Sequence, residues 1–373
     1  MSALPVARPR MPALDALRPW LERIDANRSY SNFGPLTREL EQRLASRLGV
    51  DAACVTTVAN GTTGLILALQ GLTEGRAGLC LMPSWTFVAT AHAVVAAGLT
   101  PCLLDVDAES WALTPAIALD ALARMEAPVA AVLPVAPFGA PMDMGGWDRF
   151  TALTGIPVLV DAAAAHDTVQ AARTPAVVSL HATKILGAGE GGYVVCHDPD
   201  LIVAIRRRSN FGFYGARNAE VTAINGKMSE YHAAVGLAAM DAYAADIARF
   251  RHVAMAYREG LAARPDIRLQ PGFGPDWCGS VCVARFIGGD AARVAARLAS
   301  AGIDSRAWWG EGVHAQSAFA DLQRRPLPVT GRLAHETLGL PFFVDMDAAD
   351  VARVCAAILS GTDAAAPVVE RAA

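Results

Sequence analysis

The chain has 373 residues, more than the ~150 that usually make one domain, which points to one large domain and a smaller companion. Apolar residues make up 53% and charged residues 18%, enough for a sizeable buried core and unlike the composition of a disordered chain. Thirty-six acids against 32 bases leave a net charge of -4 with no basic block, which argues against nucleic acid as a partner.

No apolar run reaches the ~18 residues that a bilayer span needs, so no membrane segment is expected. Pro101, Pro134 and Pro137 interrupt the longest candidate. The N-terminus carries Pro5, Pro9 and Pro12 where a signal peptide needs an apolar helical segment. The cysteines are odd in number, scattered and embedded in apolar strand-like runs. They read as buried free thiols, and a cytoplasmic location fits. Their spacing offers no metal site.

In chain order, β-rich runs at 54–59, 78–82, 101–106, 129–135, 157–160, 177–181 and 192–196 alternate with helical patterns at 62–72, 86–97 and 114–125. That alternation means βαβ units and a mostly parallel sheet flanked by helices. A long helical pattern at 229–263 leads out of the sheet. A strand at 281–286 and helices at 290–301 and 348–359 follow, as in a small α+β domain. The expected division is residues 1–248, a large domain with an N-terminal arm, and 249–373, with the tail after Gly361 expected to be mobile.

Gly187-Ala188-Gly189-Glu190-Gly191-Gly192 satisfies the G-x-G-x-x-G pattern but leads into a strand and not a helix. A dinucleotide fingerprint needs a helix N-terminus facing the pyrophosphate, so these residues read as a turn between strands. A better anion site is Asn60-Gly61-Thr62-Thr63, between a strand and a helix, where free N–H groups, hydroxyls and a glycine can cradle a phosphate. Such a turn is also compatible with an ordinary N-cap.

Asp161 closes an apolar run and so lies at the carboxyl end of an inner strand, where ligands bind in open α/β folds. Lys184 follows the next run. Few charges surround it, so desolvation could favour its neutral, nucleophilic amine, although an ordinary surface lysine fits the position too. Phosphate cradle, strand-end carboxylate and strand-end lysine are the parts a pyridoxal phosphate enzyme needs: anchor, partner for the pyridine nitrogen and Schiff-base amine.

Over nearly its full length the chain resembles the DegT/DnrJ/EryC1/StrS family of sugar aminotransferases. The matching stretches are Asn32-Phe33-Gly34-Pro35-Leu36, Asn60-Gly61-Thr62, 83–90 (PSWTFVAT), Asp161-Ala162-Ala163, Ser179-x-His181-x-x-Lys184, Glu190-Gly191-Gly192, 225–230 (NGKMSE) and Leu340-Pro341. The resemblance implies the fold-type I aspartate aminotransferase architecture, pyridoxal 5'-phosphate as cofactor and a homodimer with shared active sites. Lys184 is then the Schiff-base lysine and proton carrier, and Asp161 the partner of the pyridine nitrogen. Gly61, Thr62 and Ser179 would bind the phosphate, Asn225 the phosphate in the neighbouring subunit, and Phe87 would stack on the ring unless it is a core aromatic of its helix.

One departure concerns the position three residues after Asp161. The family usually has Gln or His there, and this chain has Ala164, with His166 as a possible substitute two residues on. The implied substrates are a nucleotide-linked keto-deoxysugar and glutamate, with 2-oxoglutarate released, in amino-sugar biosynthesis. Trp308-Trp309 replaces a His-Tyr-Pro run that lines the family's sugar pocket, so Trp309 and His314 are candidate substrate contacts. Arg306 is a candidate for a diphosphate or a glutamate carboxylate, or a surface ion-pair residue. The segment looks most like enzymes that aminate C4 of dTDP-4-keto-6-deoxyglucose; C3 amination of a 3-keto sugar is the alternative. A related dehydratase branch has His in place of the lysine, and Lys184 argues against it. Lys184 and Asp161 also disfavour a non-catalytic regulator of the same fold.

Overall fold

In the computed structural model, which describes residues 3–360, helices α1 (Leu14–Asn27) and α2 (Pro35–Leu48) precede the sheet. There follow β1 (Val55–Val58), α3 (Gly61–Thr73), β2 (Leu79–Pro83), α4 (Val88–Ala96), β3 (Thr100–Leu104), α5 (Pro115–Leu122), β4 (Val129–Val132) and α6 (Met144–Thr154). Next come β5 (Val160–Asp161), β6 (Ala176–Ser179), β7 (Gly192–Val195), α7 (Pro199–Ser209) and α8 (Glu230–Leu261). The last third holds β8 (Ile267–Leu269), β9 (Cys282–Phe286), α9 (Ala291–Ser300), α10 (Pro328–Glu336), β10 (Thr337–Leu340) and α11 (Ala348–Leu359). The expected mobile tail after Gly361 lies outside the described residues. Among the described residues no helix is long and apolar enough to cross a membrane.

The strands β1-β7-β6-β5 and β3-β2-β4 form two sheets that meet edge to edge. Parallel bridges pair Val132 with Val158 and Val135 with Asp161, so the spatial order is β3-β2-β4-β5-β6-β7-β1. All run parallel except β7, which is antiparallel to both neighbours. The sheet is mixed and mostly parallel, as expected. The reversal at β7 follows from the connection: residues 180–191 form turns and not a crossover helix, so the chain must return antiparallel. β1, β2, β6 and β7 are buried along their whole length, which is why they read as mostly apolar runs.

β4 was expected to continue to Val135 but ends at Val132. Pro134 has no N–H to donate, although pairing resumes at Val135. α4 begins at Val88 and not at 86, with Phe87 as an extended N-cap residue. Phe87 is 58% exposed, so it is not a core aromatic of that helix. The glycines at 187–192 form a turn between strands: Leu180 N donates to Gly191 O and Ala182 N to Gly189 O, folding the chain back around Lys184. All seven cysteines are buried and free.

The start of α8 packs on α1 and α2, and its end packs on α11 beside an antiparallel sheet β10-β9-β8. The N-terminal arm, grouped by sequence position with the large domain, packs on this last third. Leu4 N donates to Gly302 O, Asp304 N to Leu4 O, and Phe342 N to Val6 O, each at 2.9–3.0 Å.

Candidate active site

Parallel strands put their carboxyl ends on one edge, and the sequence loads that edge. β1 ends before Asn60-Gly61, β2 before Ser84–Phe87, β5 at Asp161 and β6 at Ser179 with Lys184 just beyond. Val58 and Ser179 both pair with Gly192, so the ends of β1 and β6 flank the start of β7. A Cβ added at Gly61 would lie 3.0 Å from Ser179 Cβ, so the first turn of α3 comes close against Ser179. Asn60 Oδ1 accepts from Thr63 N at 2.8 Å and caps α3. Thr62 sits in that first turn, where the helix presents N–H groups and the positive end of its dipole.

Asp161 is buried. Its Oδ2 accepts from Thr90 Oγ1 at 2.8 Å and its Oδ1 from Ala163 N at 3.1 Å. Burial raises its pKa above the ordinary carboxylate value, and those two hydrogen bonds and Lys184 pull it back. Lys184 is half-buried by exposed area but closely surrounded by protein, and this desolvation lowers its pKa while Asp161 opposes. The pair therefore interacts across the site, with the amine biased toward its nucleophilic form. Thr90 was not singled out in the sequence, although it lies one turn of α4 beyond Phe87 and bonds Thr86 Oγ1 at 2.8 Å. That turn links the exposed Phe87 ring to Asp161.

Ser84, like Thr90, lies in the matching stretch 83–90, but the sequence assigned it no role. It is fully buried, its Oγ lies 2.8 Å from His314 Nδ1, and its carbonyl accepts from Val313 N at 2.8 Å. His314 thus anchors to the turn that carries Phe87. Trp309 is half-buried, stacked on Phe138 with centroids 3.9 Å apart and edge-on to Trp85 at 5.4 Å. Arg306 is exposed, its guanidinium 5.0 Å from the Trp308 ring centroid.

His166 is buried, with Nδ1 3.1 Å from the Tyr193 hydroxyl and its ring edge-on to Tyr193 and Tyr243. Burial and then Arg47 hold its pKa well below the usual imidazole value. It packs within this aromatic cluster and, among the described residues, makes no hydrogen bond to Asp161 or Lys184. Asn225 is exposed and bridges Asn210 on the loop before α8.

The whole of residues 17–359 matches the model of the DegT/DnrJ/EryC1/StrS aminotransferase family. The chain belongs to this family. It is an aminotransferase, and pyridoxal phosphate is its cofactor. The residues present fit that group: the cradle of Gly61 and Ser179 is one that a Cβ at position 61 would narrow, the carboxylate of Asp161 is desolvated, and the Lys184 amine is nearby.

A dTDP-4-amino-4,6-dideoxy-D-glucose transaminase of Shigella dysenteriae is 34% identical over 238 residues, covering 62% of this chain and 63% of that protein. A UDP-2-acetamido-2-deoxy-3-oxo-D-glucuronate aminotransferase of Pseudomonas aeruginosa is 28% identical, covering 87% and 90%. Among solved structures, DesI in the presence of its TDP-sugar product is 32% identical with a TM-score of 0.86, covering 96% of this chain and 94% of that one. Family membership also confirms the fold-type I expectation.

Proposed function

We propose that this aminotransferase moves the amino group of glutamate to C4 of a dTDP-linked 4-keto-6-deoxyglucose. The observation that carries the chemistry is the convergence of Lys184, Asp161 and the Gly61–Ser179 cradle on one sheet edge. The sugar and position rest on the likeness to the Shigella transaminase, and the nucleotide carrier is supported also by DesI with its TDP-sugar product. C3 amination of a 3-keto sugar is the second reading, favoured by the likeness to the Pseudomonas enzyme.

Gly61, Thr62 and Ser179 would hold the cofactor phosphate, Asp161 would pair with the ring nitrogen and Phe87 would pack on the ring. Bound there, pyridoxal phosphate supplies the electron sink that lets a carbon lose and regain a proton. Lys184 Nζ, held below the usual lysine range, takes that proton from the donor carbon and returns one to the acceptor carbon. Asp161, as a carboxylate, would keep the ring nitrogen protonated.

A cavity of about 770 Å³ bounded by Phe33, Arg38, Phe213, Tyr214 and Arg217, with Arg206 at its wall already paired to Glu41, supports a diphosphate-bearing acceptor, since the guanidinium forks of Arg38 and Arg217 suit phosphate and aromatic faces suit a base or sugar. It includes Asn210, the bridging neighbour of Asn225. The exposed rings of Phe211 and Tyr214 that line it support a second copy docking on this face, which brings Asn225 to the partner's phosphate. The working unit is then a homodimer in the cytoplasm. Each chain divides within α8 into residues 1–248 and 249–373.

The test supplies glutamate with a panel of nucleotide keto-sugars and reads 2-oxoglutarate, alongside borohydride reduction and peptide mapping. The expected result is turnover of dTDP-4-keto-6-deoxyglucose with cofactor fixed on Lys184. Turnover of none of the keto-sugars, or cofactor fixed on another lysine, overturns the reading.

A further inference from the structure

A second, smaller cleft of about 40 Å³ contains Lys184 itself. It is bounded by the N-terminal arm at Arg8 and Arg10, by Thr183, by Ser280 and by Phe343 after β10. Two cations of the arm thus border a space that Lys184 and the carboxylate-bearing Asp246 also line, and they are not equivalent. Arg10 is neutralised: it is ion-paired with Asp246 and reaches Asp345 at 3.3 Å. Among the described residues Arg8 has no recorded carboxylate partner, and its guanidinium lies 4.8 Å from the centroid of Phe343.

That arrangement is pre-organised. Val6, two residues before Arg8, is pinned by Phe342 N, and Leu4 is pinned on both sides by Gly302 and Asp304, so the arm's register is fixed. Phe343 is buried, so the surface on which Arg8 rests is rigid. A guanidinium stacked on an aromatic face keeps its N–H edge free for a planar anion. The cleft has room for about one or two water molecules, the scale of a carboxylate and not of a sugar.

We propose that Arg8 binds a carboxylate of the amino donor, so that the N-terminal arm selects an amino acid, with Ser280 and Thr183 as polar neighbours in the cleft. Arg306, the other candidate for this anion, stacks on Trp308 and does not border the cleft that holds Lys184. The inference rests on the transaminase reading, since it needs a donor at Lys184.

The test compares wild-type holoenzyme with Arg8→Gln and Arg8→Lys, following each half-reaction separately and measuring binding of glutarate, an inert dicarboxylate, by calorimetry. For Arg8→Gln the KM for glutamate and the Kd for glutarate should rise about tenfold or more, the effect of losing a charged hydrogen-bonded contact. Arg8→Lys should recover part of this. The keto-sugar half-reaction of the aminated enzyme should be unchanged, which also shows that the variant is folded. Unchanged glutamate KM and glutarate Kd in an Arg8→Gln enzyme that still aminates the keto-sugar would overturn the role of Arg8 alone. A wild-type enzyme that transfers no amino group from any amino acid would overturn the functional reading, and the donor site with it.

Discussion

Asp161 shows how a single residue carries function at a cost to the fold. Its carboxylate is desolvated with two hydrogen bonds, and its pKa is pushed up, so the ionised form is disfavoured until a cation faces it. Asp161→Asn removes the charge without orphaning a neighbour: the amide oxygen can accept from Ala163 N, and the amide N–H can donate to the Thr90 hydroxyl, which is free to donate to Thr86. The variant should melt, without cofactor, no lower than wild type. Added pyridoxal phosphate should stabilise it less, and turnover should fall about 10²- to 10³-fold, as when a pre-organised electrostatic group is lost. Melting curves with and without cofactor, beside the turnover rate, check this; near-wild-type turnover would sink it. Asp161, Lys184, Gly61 and Ser179 were legible in the sequence because each terminates or directly follows an apolar run. Thr90, Ser84 and Arg8 were not, because what marks them is a partner 71, 230 or 335 residues away.

Elements were legible where burial imposes a pattern. The seven strands of the large sheet, β9, and helices α3, α4, α5, α8, α9 and α11 follow from apolar runs and cap residues such as Asn60, Thr114 and Ser229, whereas the short β8 and β10 were not read. Helices α1, α2, α6, α7 and α10 were not read, for their apolar signal is diluted: α2 buries Leu36, Leu40 and Leu44 but also Thr37 and Glu41. Two of these buried polar sites are explained only by tertiary partners. Glu230 accepts from Leu36 N and Thr37 N at the start of α2, and Glu41 pairs with Arg206 at 2.8 Å. The segment holding His314 is likewise intelligible only through the turn after β2 that it fastens. Burial and then Arg324 lower the His314 pKa below 6.5, while Glu311 and Asp105 oppose, so the neutral ring accepts at Nδ1 from the Ser84 hydroxyl. With its folded pKa lowered, His314 takes up a proton more readily in the unfolded chain. Its contribution is therefore full above 6.5 and is lost as pH falls below that value. His314→Gln should cost about 1 kcal/mol at neutral pH, and the gap from wild type should narrow under acid conditions. A gap in melting temperature that stays constant across the pH series would refute the tether's protonation dependence.

At the scale of the whole molecule, the sheet edge supplies a nearly complete site, and Asn225 lies on an exposed loop whose next residue, Gly226, accepts from Ala59 N at 2.8 Å. If each site takes Lys184 from one chain and Asn225 from the other, two defective variants can repair each other. Lys184→Ala lacks the amine, and Asn225→Asp places a negative charge against the partner's phosphate, so each homodimer should be nearly inactive. In a mixed dimer both defects fall into one site, and the other site has an intact Lys184 and an intact Asn225. Co-refolding the two variants in equal amounts should therefore restore roughly a quarter of wild-type activity, the yield of statistical pairing with one working site per mixed dimer. If Asn225 instead served its own chain, each site of the mixed dimer would carry one defect and mixing would restore nothing. Activity measured against the fraction of mixed dimer, separated by a tag on one variant, distinguishes the two arrangements.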